Sequence, residues 1–128
     1  MELTVGLKGE VSTEVERADT ALEVGSGSLL VYATPCMVAL MEGAACEAIA
    51  ACLPEEKTSV GIELNISHLS ATPVGMEVRA EAEITAVEKN ILTYTVTAYD
   101  EVGKIGEGTH KRAVVTAQKF LDKVYAKL

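Results

Sequence analysis

The sequence predicts an α+β fold in which an antiparallel β-sheet curls around one long apolar helix. Three observations lead there. From Pro35 to Leu53 (PCMVALMEGAACEAIAACL) the only charged residues are Glu42 and Glu47, a run long enough for a helix of about five turns. After it, four segments alternate apolar and polar residues, with turn chemistry between them; before it lies one shorter alternating segment. A sheet of that size has one face to hide, and this helix is the only element long enough to cover it.

Taken in order, residues 10–16 set Val11, Thr13 and Val15 against polar neighbours and read as a strand. Ala18 to Leu30 carries both loop and short-helix features and is broken by Gly25-Ser26-Gly27-Ser28. Thr34 is expected as N-cap of the long helix with Pro35 at N1, where a missing N–H costs nothing, and Leu53-Pro54 closes it. Glu42 and Glu47 fall about 140° apart around the helix, so no single polar face holds both. A helix apolar nearly all round is expected to be wrapped by the rest of the fold, with at least one carboxylate partly buried and its pKa raised by desolvation. In the next segment Thr58, Val60, Ile62, Leu64 and Ile66 point one way, toward the helix, and Ser59, Gly61, Glu63, Asn65 and Ser67 the other. Thr72-Pro73-Val74-Gly75 is a turn, Met76 to Val87 alternates again, and Glu88-Lys89-Asn90 turns into Leu92, Tyr94, Val96 and Ala98. Asp100 to Gly103 connects a hairpin, Ile105 to Thr116 returns, and a short helix is expected over 117–127.

At 128 residues the chain reads as a single domain, 1–128. Its formal charge of −8 argues against nucleic acid as a partner. Local basic clusters remain at Lys111-Arg112 and at Lys119, Lys123 and Lys127, either of which could meet a polyanionic ligand. Cys36, Cys46 and Cys52 lie too far apart along one helix to pair, and they read as small buried hydrophobes in a reducing compartment. No Cys or His spacing points to a metal. The start, MELTVGLKGE, lacks the apolar core of a signal peptide. Leu29 to Leu53 is long enough to span a bilayer, but each of its carboxylates would cost roughly 2.5–3.5 kcal/mol at mid-membrane. The expectation is a cytoplasmic protein that does not insert in membranes.

Chemistry concentrates on few residues. Extending the strand alternation past Ile66 puts His68 on the helix-facing side. Glu42 lies two turns into the helix, roughly 12 Å from Thr34 along the axis. On facing surfaces, Glu42 and His68 would form an acid–base pair. Thr34 stands at a helix N-terminus, where backbone N–H groups and the dipole stabilise developing negative charge. Gly61 in mid-strand marks either a bulge or a close approach to the backbone. His110 and Arg112 share a strand face with Gly106 and Gly108, which reads as a small-residue groove.

The run Tyr32-Ala33-Thr34-Pro35-Cys36-Met37-Val38-Ala39-Leu40-Met41-Glu42 resembles the thioesterases of the hot-dog fold, in particular the group around the fluoroacetyl-CoA thioesterases. So do Val60-Gly61, Ser67-His68-Leu69, Ala71 to Gly75 and Gly106-Glu107-Gly108-Thr109-His110. The resemblance covers roughly residues 10 to 116, and the Thr34…Glu42…His68 spacing is its specific part. It implies Thr34, Glu42 and His68 as the catalytic residues, with Gly61 offering a backbone N–H to the acyl carbonyl and Arg112 near the acyl or CoA end. It also implies a homodimer with each active site at the subunit interface, and no cofactor beyond the CoA of the substrate.

The function expected is hydrolysis of a short- or medium-chain acyl-CoA to the free acid and CoA. Glu42 serves as general base or as nucleophile, the sequence not choosing between them, and His68 protonates the leaving thiolate. The chain has one Phe, Phe120 in the C-terminal segment, and Tyr32 just before the helix, which is little aromatic wall for a fluoroacetyl specialist. Two rivals stand beside this expectation: a non-catalytic acyl-CoA sensor on the same fold, which has no need of an acid–base couple, and a hydratase or dehydratase, whose acid and base typically sit in one local motif.

Overall fold

The computed structural model describes residues 2–128. Strand β1 (Lys8–Glu14) leads through a 3-10 turn (Arg17–Asp19) and a one-turn helix α1 (Ala21–Val24) to the long helix α2 (Thr34–Ile49). A further 3-10 turn (Ala50–Cys52) precedes β2 (Lys57–His68), β3 (Glu77–Glu88), β4 (Ile91–Tyr99) and β5 (Lys104–Thr116), and helix α3 (Ala117–Tyr125) follows. The five strands form one antiparallel sheet in the order β1-β3-β4-β5-β2. This is the α+β arrangement expected, with α2 packed mainly on β1 and β3. Because β2 has a neighbour on one side only, its twelve residues form a free sheet edge.

The core forms where one face of α2 meets the alternate residues of the sheet. Met37, Met41, Ala44, Ala45, Ala48 and Ile49 from the helix meet Val78, Ala80, Ala82 and Ile84 of β3 and Leu92, Tyr94, Val96 and Ala98 of β4. Thr34–Cys52 has the length and apolarity of a membrane span. The sheet wraps only one side of it, however: Ala39, Cys46 and Glu47 are exposed, and Glu42 is half-buried. The expectation of a helix covered all round, with every cysteine buried, is corrected accordingly.

Both helix ends also differ from expectation. The N-cap is Ala33, which makes no side-chain cap, and Thr34 is already helical; its hydroxyl is engaged by a histidine described below. At the other end α2 stops at Ile49 and tightens into the 3-10 turn. Pro54 forces Leu53 into extended backbone (φ −95°, ψ 129°), so the helix cannot reach it.

The most consequential departure lies in β2. Opposite β5, Gly61 pairs with Arg112 and Glu63 with Lys111, so Ile62 is an extra residue, a bulge. Leu64, Ile66 and His68 face inward as expected. Before the bulge the faces exchange: Ser59 and Gly61 point inward against α2 and β5, while Val60 leaves the core side and Ile62 is exposed. The alternation of Val60 and Ile62 with Leu64 therefore misassigned the first half of the strand.

Candidate active site

Two clusters of polar side chains flank α2, and each is assembled by a different part of β2. At the helix start, Thr34 Oγ1 lies 2.7 Å from Nδ1 of His68, the last residue of β2. The pair lines a cleft of about 300 Å³ whose other walls include Ser26, Tyr32, Leu69 and Ala71. Burial holds the His68 pKa below the usual 6.5, so the imidazole is neutral at neutral pH. Its Nε2 is buried with no hydrogen-bond partner among the described residues. A hydroxyl beside a neutral imidazole at a helix N-terminus can exchange a proton with a reacting group and can stabilise an oxyanion. Cys36 lies two residues, about half a turn, further along the helix. Burial, and then the negative charge of Asp19, push its thiol up, which leaves it a poor nucleophile.

The second cluster surrounds the Glu42 carboxylate, two turns along α2. Arg112 Nη1 donates to Glu42 Oε2 at 3.0 Å. The guanidinium is almost fully buried; Nε donates to Ser59 Oγ at 2.8 Å and Nη2 to the Ser59 carbonyl at 3.2 Å. His110, from the same face of β5, lies 3.1 Å from Arg112 Nη1 and 4.0 Å from Glu42 Oε2. Gly61 completes the cluster from β2. A Cβ at that position would come within 2.6 Å of Glu42 Oε2, so the carboxylate occupies space that only glycine leaves open. Glu42 keeps 40% of its side chain exposed, which leaves it accessible to a ligand while Arg112 holds one oxygen.

All five residues expected at the site thus lie in these two clusters, divided two and three. Thr34 meets His68, and Glu42 meets Gly61 and Arg112. The expected Glu42–His68 contact does not form among the described residues: His68 meets Thr34, and Glu42 meets Arg112. Arg112, expected near the acyl or CoA end, sits directly on the Glu42 carboxylate. Nor do Lys111 and Arg112 act as one basic patch, since successive strand residues face opposite ways: Lys111 lies outside, 4.0 Å from Glu63, and Arg112 inside. The expected groove beside Gly106 and Gly108 is filled, by the Met37 side chain at one and by the backbone of β2 at the other. Ser59 was not foreseen. Its signal was its position two residues before Gly61, legible only once Gly61 is placed on the inner face.

Comparison with known proteins places the chain in a family. The sequence profile described as "Fluoroacetyl-CoA-specific thioesterase" matches residues 15–118. The fluoroacetyl-CoA thioesterase of Streptantibioticus cattleyicolor is 43% identical over 97 residues, 76% of this chain and 70% of that protein. The solved structure of the fluoroacetyl-CoA thioesterase FlK superposes with a TM-score of 0.93 at 34% identity, covering 100% of this chain and 99% of that one. A variant of FlK in complex with acetyl-CoA gives 0.92 at 35% identity over 98% of each chain. The chain belongs to the fluoroacetyl-CoA-specific thioesterase family, a group of hot-dog-fold enzymes that hydrolyse thioesters.

Proposed function

We propose that this protein is a homodimeric, cytoplasmic acyl-CoA thioesterase that releases a short- or medium-chain acid and needs no cofactor beyond the CoA of its substrate. The observation that supports this reading best is the Thr34–His68 pair in the wall of an open cleft, with a half-exposed carboxylate further along the same helix. Glu42 activates water as general base or attacks the thioester carbonyl itself, and His68 delivers a proton to the departing thiolate. Thr34, the helix N-terminus and the Gly61 N–H hold the developing oxyanion. A cleft walled by Ser26, Ala71, Leu69 and Tyr32 has room for an acyl chain longer than two carbons. The exposed lysines 119, 123 and 127 remain as candidates for the CoA phosphates.

A dimer supplies what one protomer lacks. β2 offers a free edge, and an antiparallel β2–β2 pairing with its two-fold at Asn65 would set Leu64 opposite Ile66 of the partner subunit and, across the bulge at Ile62, His68 opposite the partner's Gly61. The Thr34–His68 pair of one protomer would then face the partner's Glu42, with one complete site at each end of the joined edge.

Thiol release from a panel of acetyl-, fluoroacetyl-, butyryl-, hexanoyl- and octanoyl-CoA tests the activity, and the expected result is turnover that peaks within the series. Binding without thiol release would replace the thioesterase reading with a sensor. Mixing Thr34→Ala and Glu42→Gln proteins after unfolding and refolding together tests the shared site: heterodimers hold one intact site, so roughly a quarter of wild-type turnover returns. No recovery would place the whole site within one protomer.

A further inference from the structure

Behind the Glu42 carboxylate stands a buried histidine that thioester hydrolysis as outlined leaves without a task. His110 is 2% exposed. Its Nδ1 lies 2.8 Å from the Glu63 carbonyl oxygen, which can only accept, so Nδ1 carries a hydrogen and donates. Its Nε2 lies 3.1 Å from Arg112 Nη1, which can only donate, so Nε2 carries none and accepts. Both neighbours dictate the same neutral tautomer.

We propose that His110 is a positioning residue: as the Nδ1-protonated neutral imidazole it fixes Arg112 Nη1 so that the guanidinium grips Oε2 of Glu42 and leaves the other carboxylate oxygen free for chemistry. The proposal rests on the reading of Glu42 as the working carboxylate. Ser59 takes Nε and Nη2 of the guanidinium through its hydroxyl and carbonyl. His110 takes one direction of Nη1, and the remaining one is aimed at Glu42. Without the imidazole acceptor, Nη1 has the carboxylate as its sole partner, and a rigid fork becomes a pivot.

The ring is itself held on both sides. It stacks on Tyr94, centroids 5.9 Å apart and planes 27° from parallel, and the Tyr94 hydroxyl donates to the Ala45 carbonyl of α2 at 3.1 Å. The imidazole is thereby fixed relative to the helix that bears Glu42. The groups facing it are Glu42 from α2, Arg112 from β5, Tyr94 from β4 and the Glu63 carbonyl from β2, whose side chain turns away to Lys111. Burial pushes its pKa below 6.5, and Arg112 pushes the same way, outweighing the Glu63 carbonyl and Glu42. Protonation would place an N–H against the Arg112 N–H and break the arrangement.

Asn and Gln separate the two bonds, because an Asn amide falls near the Nδ1 position and a Gln amide near Nε2. His110→Gln keeps an acceptor for Arg112 and is expected to hold kcat within about threefold, whereas His110→Asn loses it and is expected to lose roughly tenfold in kcat with KM little changed. Equal kcat in the two, or losses that follow melting temperature, would overturn the proposal. Nitrogen-15 spectra of the wild-type imidazoles at pH 7 decide it without any variant: the Nδ1–H tautomer of His110 is expected, and an imidazolium or Nε2–H tautomer would refute it. Glu42→Gln separates the two levels of the reading. If that variant is inactive while the Asn and Gln variants are alike, only the role of His110 falls; if it is fully active, the role of Glu42 falls and takes this proposal with it.

Discussion

Replacing Gly61 with Ala adds one methyl group at the point where the carboxylate has least room. Gly61 does not occupy the left-handed region, so alanine introduces no backbone strain. The new Cβ would stand 2.6 Å from Glu42 Oε2, 3.3 Å from His110 Cε1 and 3.4 Å from Arg112 Nη1. To restore ordinary contact near 3.4 Å, Oε2 must retreat by roughly 0.8 Å. A movement of that size strains or breaks its 3.0 Å bond from Nη1. Misplacement on the order of 1 Å in a reacting group costs about 10²-fold in rate. The group that yields is the tip of a flexible side chain, so the fold should tolerate the change. The expected outcome, by thiol release and thermal melting on one preparation, is a kcat lower by about 10²-fold with a melting temperature near that of wild type. Gly108→Ala is the contrast, since its Cβ would overlap the Asn65 carbonyl oxygen and press on Ile66 Cα in the β2 backbone. That variant should lose stability outright as β2 and β5 are pushed apart. A folded Gly61→Ala protein with kcat within threefold of wild type would refute the claim that the position of Glu42 governs turnover.

Thr34→Ala should lower kcat at least tenfold while leaving the melting temperature nearly unchanged, because Thr34 is not the helix cap and its hydroxyl meets only His68 among the described residues; a large drop in melting temperature would show a structural role instead. Glu42→Gln should reduce turnover by at least ~10²-fold. Since the carboxylate balances a buried guanidinium, the same variant should also melt lower than wild type, and a higher melting point would show that Arg112 does not depend on it. Stability should fall as pH drops below about 6.5: burial lowers the pKa of both His68 and His110, so the unfolded chain binds protons that the folded chain refuses until pH reaches the depressed values. Melting curves between pH 8 and 5 test this, and a flat profile in wild type would rule it out.

Much of this architecture was legible in the sequence because it rests on local rules. The five strands follow from period-two alternation, their turns from Thr72 to Gly75 and from Asp100 to Gly103, and the helix from an apolar run opened by Thr34-Pro35. The turns even prove linked: Thr72 donates to Asp100 at 2.8 Å, and that bond with those from the Val102 and Gly103 N–H groups outweighs burial to lower the Asp100 pKa. What could not be read was whatever depends on contacts distant in sequence. Thr34 looks like a cap until His68, thirty-four residues on, is placed beside it. Glu42 looks free for His68 until Arg112, seventy residues on, claims it. The bulge at Ile62 left no hydrophobic signal, because Val60 and Ile62 fit an uninterrupted strand equally well.

The bulge also makes a constraint of parity. Gly61 and His68 are seven positions apart, an odd number, and in an unbroken strand an odd separation means opposite faces. The residues that look inward are odd-numbered at 59 and 61 and even-numbered at 64, 66 and 68, and Ile62 is where the count changes over. In a strand of this length both clusters can therefore share one face only while Ile62 is held out of the pairing with β5. Pairing Ile62 as an ordinary ladder residue would preserve every side chain in the sequence and still turn one half of the site toward solvent, whereas deleting it would bring the separation to six and keep both halves on one face.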